Sequence, residues 1–106
     1  MSSAAAALLR ALIARAGVSR DRILLIDAQS TDWRSLTFTG ERHRIILRVP
    51  GPESASLAKL LGEGLEEAEF NISGVIVADI GAEDAPNLES DGSTTLVIEA
   101  LTVAED

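Results

Sequence analysis

Cysteine is absent from this chain, and with it disulfides, thiolate metal sites and cysteine nucleophiles. That usage suits a reducing compartment, and the expected location is the cytoplasm. Aromatic side chains are almost missing: one Trp, two Phe and no Tyr leave the core to Leu, Ile, Val and Ala. A single histidine, His43, restricts imidazole chemistry near neutral pH to one position. Lysine occurs once, at Lys59, so that eight of the nine basic residues are Arg. With abundant Ala, this usage suggests a GC-rich genome and a bacterial source. No apolar run approaches the roughly twenty residues of a membrane span, and no membrane partner is expected.

What is present fits one domain, residues 1–106, long enough for a single core. The net charge of −8 is divided unevenly: residues 1–48 carry +4 and residues 49–106 carry −12. A whole-chain acidic field opposes nucleic-acid binding, because phosphate contacts need clustered cations to release counterions. The two halves are instead expected to neutralise each other within the fold or between subunits.

SSAAAALLRALIARAG, residues 2–17, predicts an amphipathic helix capped by Ser2 or Ser3 and closed by Gly17. Leu8, Leu9, Leu12, Ile13 and Ala16 recur at helical spacing on its apolar side. Arg10 and Arg15 interrupt the run and argue against a secretory signal. The acid-free first twenty residues have the composition of a presequence but serve equally as a first helix. RILLIDA, residues 22–28, predicts a first strand followed by a turn over 29–32.

Trp33 to Val49, WRSLTFTGERHRIILRV, predicts a β-hairpin with a II′ turn at Gly40-Glu41. That register puts Trp33 opposite Arg48 as a cation–π pair. Leu36, Phe38, His43, Ile45 and Leu47 fall on the core face; Trp33, Ser35, Thr37, Thr39, Arg42, Arg44, Ile46 and Arg48 fall on the other. Pro50-Gly51-Pro52 ends the hairpin and opens a second helix that frays near Gly64. GVIVADI, residues 74–80, and TTLVIEALTVA, residues 94–104, predict two further strands joined by an acidic loop.

The candidates for chemistry are sparse. Glu83, Asp84, Glu89 and Asp91 in the acidic loop are hard oxygen donors without EF-hand spacing, so no metal is expected. Gly62 and Gly64 lie among acids late in a helix and make no phosphate loop; no cofactor is expected. Asn71-Ile72-Ser73 reads as a turn. Asp27, Asp79 and Glu99 interrupt apolar strands and are expected at edges or strand ends, paired with Arg34, Arg44 or Arg48. His43 with Ser30 or Ser35 and Asp27 or Asp32 supplies the parts of a nucleophilic triad. The predicted register turns His43 away from Ser35, leaving it a core-edge residue with one hydrogen bond.

The strongest candidate is a partner-binding face of Trp33, Ser35, Thr37, Arg42, Arg44, Ile46 and Arg48, since an exposed Trp among arginines has the composition of a protein–protein hot spot. No catalytic residue is assigned.

The segment Trp33-x-Ser35-x-Thr37-Phe38-x-Gly40-x-Arg42-His43 resembles one found in small uncharacterised bacterial proteins, a resemblance that implies no activity. The element order, size, acidity and expected dimer resemble the architecture of type III secretion chaperones, which implies effector binding; the chain departs from it by ending without a final helix.

These readings predict an α+β two-layer sandwich with a five-stranded antiparallel sheet, in the order α-β-β-β-α-β-β, with both helices on one face. The other face, apolar on its last two strands, is expected to be covered by the long loop, a ligand or a second copy, a homodimer being the commonest solution. The expected function is a non-enzymatic, homodimeric protein-binding, adaptor or chaperone-like module. Two other classes fit the same residues: a small-ligand module for an acyl or anionic metabolite, and a hydrolase or isomerase using His43.

Overall fold

The computed structural model describes residues 1–105. It is an α+β fold with two helices and a five-stranded antiparallel sheet, as the sequence predicts. Helix α1 spans Ser3–Ala16, β1 Leu24–Arg34, β2 Thr39–Val49, α2 Ser54–Gly62, β3 Val75–Ala82, β4 Asn87–Leu88 and β5 Thr94–Ala104, with single 3-10 turns at Arg20–Arg22 and Leu65–Glu67. Two strands precede α2 and three follow it. The predicted first strand and the first arm of the predicted hairpin are one continuous strand, and the acidic loop contains β4.

The ends of α1 follow from local chemistry. Ser2 Oγ accepts from Ala5 N–H at 3.1 Å, and Gly17 at φ 70° turns the chain so that its N–H reaches the carbonyls of Ile13 and Ala14. Pro50 follows the last residue of β2, and α2 ends at Gly62, before the second glycine of the pair.

The sheet order is β1-β2-β5-β3, with β4 pairing the start of β5. Strand β5 is therefore interior and β1 a free edge. Both helices pack on one face. Leu8, Leu12 and Ile13 of α1 and Ala58 and Leu61 of α2 meet Ile45, Leu47 and Val49 of β2 and Leu96, Ile98 and Ala100 of β5. Strict alternation along β2 and β5 places these residues on the helix side and their neighbours on the outer side. No helix among the described residues is long and apolar enough to cross a membrane.

The hairpin turn is not at Gly40-Glu41. It lies at Ser35–Phe38, where Ser35 N–H donates to the Phe38 carbonyl at 2.8 Å and Ser35 Oγ accepts from Phe38 N–H at 3.0 Å. Neither Leu36 nor Thr37 has positive φ, so this is not a primed turn. Gly40 sits inside β2 with no positive φ. A Cβ there would lie 1.9 Å from the Thr102 carbonyl oxygen, so the glycine is required by the approach of two backbones. Leu36 and Phe38, expected in the core, are exposed at the turn, Leu36 completely.

Candidate functional site

The outer face is built from alternate residues of four strands. Reading along β2, Arg42 lies between Thr31 and Leu101, Arg44 between Gln29 and Glu99, Ile46 between Asp27 and Val97, and Arg48 between Leu24 and Thr95. Trp33 lies opposite Gly40 at the turn end, not opposite Arg48. Eight residues of β2 separate those two positions, roughly 27 Å at the rise of an extended strand, so the expected cation–π pair does not form. Trp33, Arg42, Arg44, Ile46 and Arg48 thus share one face. Ser35 and Thr37 stand apart from it in the turn, where the Ser35 hydroxyl organises the loop and also accepts from Thr37 N–H at 3.4 Å.

Neither helix covers this face. The acidic loop reaches its rim: Glu83 N–H donates to the Val97 carbonyl at 2.9 Å, and Arg44 Nε lies 3.0 Å from Glu83 Oε2. Glu99, the cross-strand partner of Arg44, stands beside Glu83. The hydrogen bond from Arg44 holds the Glu83 carboxyl below its ordinary range, while the neighbouring Glu83 carboxylate pushes Glu99 above it. A hollow of about 360 Å³ is lined in part by Arg42, Asp79, Glu83, Glu99 and Leu101. Of Arg34, Arg44 and Arg48, the arginines expected to pair with Asp27, Asp79 or Glu99, Arg44 forms an ion pair, with Glu83 of the loop. Asp27 and Asp79 lie on the edge strands β1 and β3, but Glu99 lies in the middle of interior β5 rather than at an edge or strand end. Asp27, Asp79 and Glu99 are all exposed.

Half-buried Trp33, Ile46, Val97 and Leu101 and exposed Ile76 interleave with these charges. The face is therefore mixed rather than the bare apolar surface that the β3 and β5 sequences suggest. The Arg48 Nε and Thr95 Oγ1, cross-strand neighbours, are buried atoms without a hydrogen-bond partner among the described residues.

His43 lies on the helix side, 3 % exposed, and makes two hydrogen bonds rather than one. Ser30 Oγ is 2.7 Å from its Nδ1, and Thr102 Oγ1 is 2.8 Å from its Nε2. Ser2 Oγ lies 3.3 Å from Ser30 Oγ. Thr102 Oγ1 donates to the Glu41 carbonyl at 3.5 Å and so accepts from His43, which makes the imidazole the Nε2–H tautomer and Nδ1 the acceptor of the Ser30 hydroxyl. Burial lowers the His43 pKa, partly offset by Glu41, and keeps the ring neutral.

Both ring nitrogens are thus engaged and no carboxylate orients the ring. The arrangement ties α1 to three strands, and His43 also borders the hollow lined by Arg42, Asp79 and Glu99. Ser30 is one of the triad components in the sequence, but its pairing with His43 needs β1 to run through residues 29–32, where the sequence predicts a turn.

The acidic loop holds itself: Asp91 accepts from Ser93 N–H at 2.9 Å and from its hydroxyl at 2.6 Å, which lowers the Asp91 pKa, and Asn87 donates to Glu89 at 2.6 Å. Among the described residues no group of three His, Asp or Glu side chains is placed to hold a metal ion. A groove of about 760 Å³ lies between α2 and the start of this loop, with Ala55, Gly62, Ala82, Ala85, Pro86 and Leu96 in its lining and Lys59, Glu63 and Asp84 at its charged positions. No family model, curated protein or solved structure gives a significant match to the chain, so neither the hairpin segment nor the secretion-chaperone architecture ties it to a family.

Proposed function

We propose that this protein is a non-catalytic, homodimeric binding module of the cytoplasm, which uses the outer sheet face to hold a partner protein. The observation that carries the reading is the placement of Trp33, Ile46, Arg42 and Arg48 on the one sheet face that neither helix covers. Half-buried apolar side chains supply burial at low ordering cost, and guanidinium groups orient carboxylates bidentately; the pair of properties suits an acidic segment with apolar anchors. Arg44 is already engaged by Glu83, which leaves Arg42 and Arg48 as the orienting cations. The burial of His43, 3 % exposed, and a threonine hydroxyl where a triad would have a carboxylate support a binding role over an imidazole-based hydrolase.

The test is selection of displayed peptides on the folded protein. Enrichment of sequences in which Asp or Glu flanks Leu, Phe or Ile is expected, with binding lost in Trp33→Ala and in the double variant Arg42→Ala, Arg48→Ala. Selection that enriches nothing on the folded wild type, or peptides bound equally by these variants, overturns the face as the site. Light scattering over a concentration series tests the homodimer separately.

A further inference from the structure

Arg44 stands at the middle of the β2 row on the outer face, and a carboxylate of the same chain occupies it. That carboxylate comes from beyond the neighbouring strand. Ala82, the last residue of β3, pairs with Ile98 on the helix side, so alternation turns the next residue, Glu83, to the outer side. The Glu83 N–H donates to the Val97 carbonyl at 2.9 Å and carries the β3–β5 ladder one step further. From there the side chain passes over β5 to β2, where its Oε2 meets Arg44 Nε at 3.0 Å. Two strand spacings put roughly 10 Å between these backbones, and the joined side chains span the face between them.

The contact is built to exchange. The backbone around it is pinned elsewhere, by the Val97 carbonyl at Glu83 and by the pairing of Asn87 and Leu88 with Thr95 and Thr94 further along the loop. Rotation about the side-chain bonds of Glu83 therefore frees Arg44 without opening the loop. The side chains are 44 % exposed at Arg44 and 35 % at Glu83, so water screens the pair and solvates either group on release. Two other carboxylates face the guanidinium: Glu99, directly opposite on β5, and Asp27, diagonal to it on β1. Glu99 is placed to hold Arg44 when Glu83 leaves.

We infer that Glu83 is an autoinhibitory contact: it masks Arg44 in the free protein, and a carboxylate of the acidic partner segment displaces it. The loop supplies an internal copy of the partner's chemistry, since Glu83, Asp84, Glu89 and Asp91 surround Leu88, which is 66 % exposed. Released Arg44 stands two residues from Arg42 on the same side of β2, about 7 Å away along the strand, so the two guanidinium groups can take successive carboxylates of one extended segment. Arg44 then joins Arg42 and Arg48 as a third orienting cation. A segment without a carboxylate at that place leaves Glu83 where it is and gains nothing from Arg44, which sharpens selection for acidic partners. This inference rests on the acidic-partner reading of the outer face and assigns its regulation.

The experiment measures binding of a fluorescein-labelled peptide, acetyl-Glu-Leu-Glu-Phe-Glu-amide, by anisotropy at fixed salt. The full-length proteins are wild type, Glu83→Ala, and Glu83→Ala with Glu99→Ala, each with and without Arg44→Ala and each first checked for an unchanged circular dichroism spectrum. Removing a negative charge attracts an acidic peptide whether or not Arg44 is present, so the Arg44→Ala series is the reference. The second release variant covers the case in which Glu99 takes the place of Glu83. The gain in affinity on release is expected to be about two- to fivefold larger with Arg44 than without it, the range for an exposed ion pair. Gains no larger with Arg44 than without it, in both release variants, overturn the autoinhibitory contact and leave the face as the site. No binding by any of the proteins overturns the contact together with the acidic-partner reading.

Discussion

His43 Nδ1 accepts a hydrogen bond from Ser30 across the β1–β2 ladder at 2.7 Å, while its Nε2 reaches Thr102 on β5. One imidazole therefore fastens three strands, and through Ser30 and Ser2 it also reaches the first turn of α1. Protonation would oblige Nδ1 to donate where it now accepts, reversing the chain of hydroxyls.

The folded pKa of His43 lies below its ordinary value of 6.5, so the unfolded chain takes up the proton first as the pH falls. The stabilisation is complete above about 6.5 and is lost progressively as pH falls from there toward the lower folded value. Thermal unfolding at pH 7.5 and 5.5 should show a larger drop in Tm for the wild type than for His43→Gln, which has no titrating ring. Equal drops in the two proteins would remove His43 as the cause.

Leu36 and Leu47 contrast the two ends of the hairpin. Leu47 is fully buried under both helices, and Leu47→Ala should cost about 2–5 kcal/mol, the range for a truncated core leucine. Leu36 touches solvent on all sides, and Leu36→Ala should change monomer stability by no more than about 0.5 kcal/mol. Urea unfolding of the two variants checks the pair; a large loss from Leu36→Ala would return the turn to Gly40-Glu41, with Leu36 in the core.

The ends of α1, the stop at Pro50 and the whole of β5 were legible because each has a local cause: a serine that caps, a glycine that turns, a proline that cannot pair. The hairpin turn was not. Ser35-Leu36-Thr37-Phe38 contains no Gly, Asn, Asp or Pro, and its geometry comes from a serine side chain bonded to the backbone; Gly40 drew the turn to itself although its reason for being glycine is the Thr102 carbonyl on a distant strand. Even so Trp33, Arg42, Arg44, Ile46 and Arg48 share one side of the sheet, as the sequence reading has them. Trp33 lies opposite Gly40 rather than Arg48, a shift of eight residues, and an even shift keeps Trp33 on the side of Arg42, Arg44, Ile46 and Arg48; Thr39, now a residue of β2, goes to the side of His43 instead. An odd shift would have exchanged Arg44 for His43. Ser35 and Thr37 lie outside this face because the turn, not a strand, contains them.

Gly40 lends itself to a direct comparison with Gly92. At Gly92 a side chain meets open space but φ is +89°, so Gly92→Ala is strained by about 1–2 kcal/mol, the usual penalty for an L residue there. At Gly40 the backbone angle is permissive and the obstacle is a carbonyl oxygen that cannot move without breaking the β2–β5 ladder. Gly40→Ala should therefore cost about 3 kcal/mol or more, at or beyond the upper end of overpacking. Urea unfolding should rank Gly40→Ala well below Gly92→Ala; the reverse order would mean that β2 and β5 are not in close approach at Thr102.

Arg44, Glu83 and Glu99 make the one part of the outer face whose titration can be followed residue by residue. Glu83 is held down by the guanidinium, and Glu99 is held up by Glu83, so the two carboxyls separate on either side of the ordinary glutamate value of 4.5. Their linkage to stability is opposed. Glu83 contributes stability above about 4.5 that is lost as the pH falls through its lower folded value, whereas Glu99 holds its proton longer in the folded state and contributes stability that is lost as the pH rises through its raised value. The net pH dependence of folding from this cluster is therefore small, and the side-chain carboxyl carbon shifts, not the Tm, are the measurement that resolves it. In the wild type Glu83 should titrate first and Glu99 last as the pH rises. In Arg44→Ala the Glu83 midpoint should rise toward that of Glu99, because the largest cause that lowers it is gone and only its hydrogen bond with Glu99 still separates the two. Unchanged midpoints in that variant would mean that Arg44 points away from the loop in solution, and that the guanidinium is free for a partner after all.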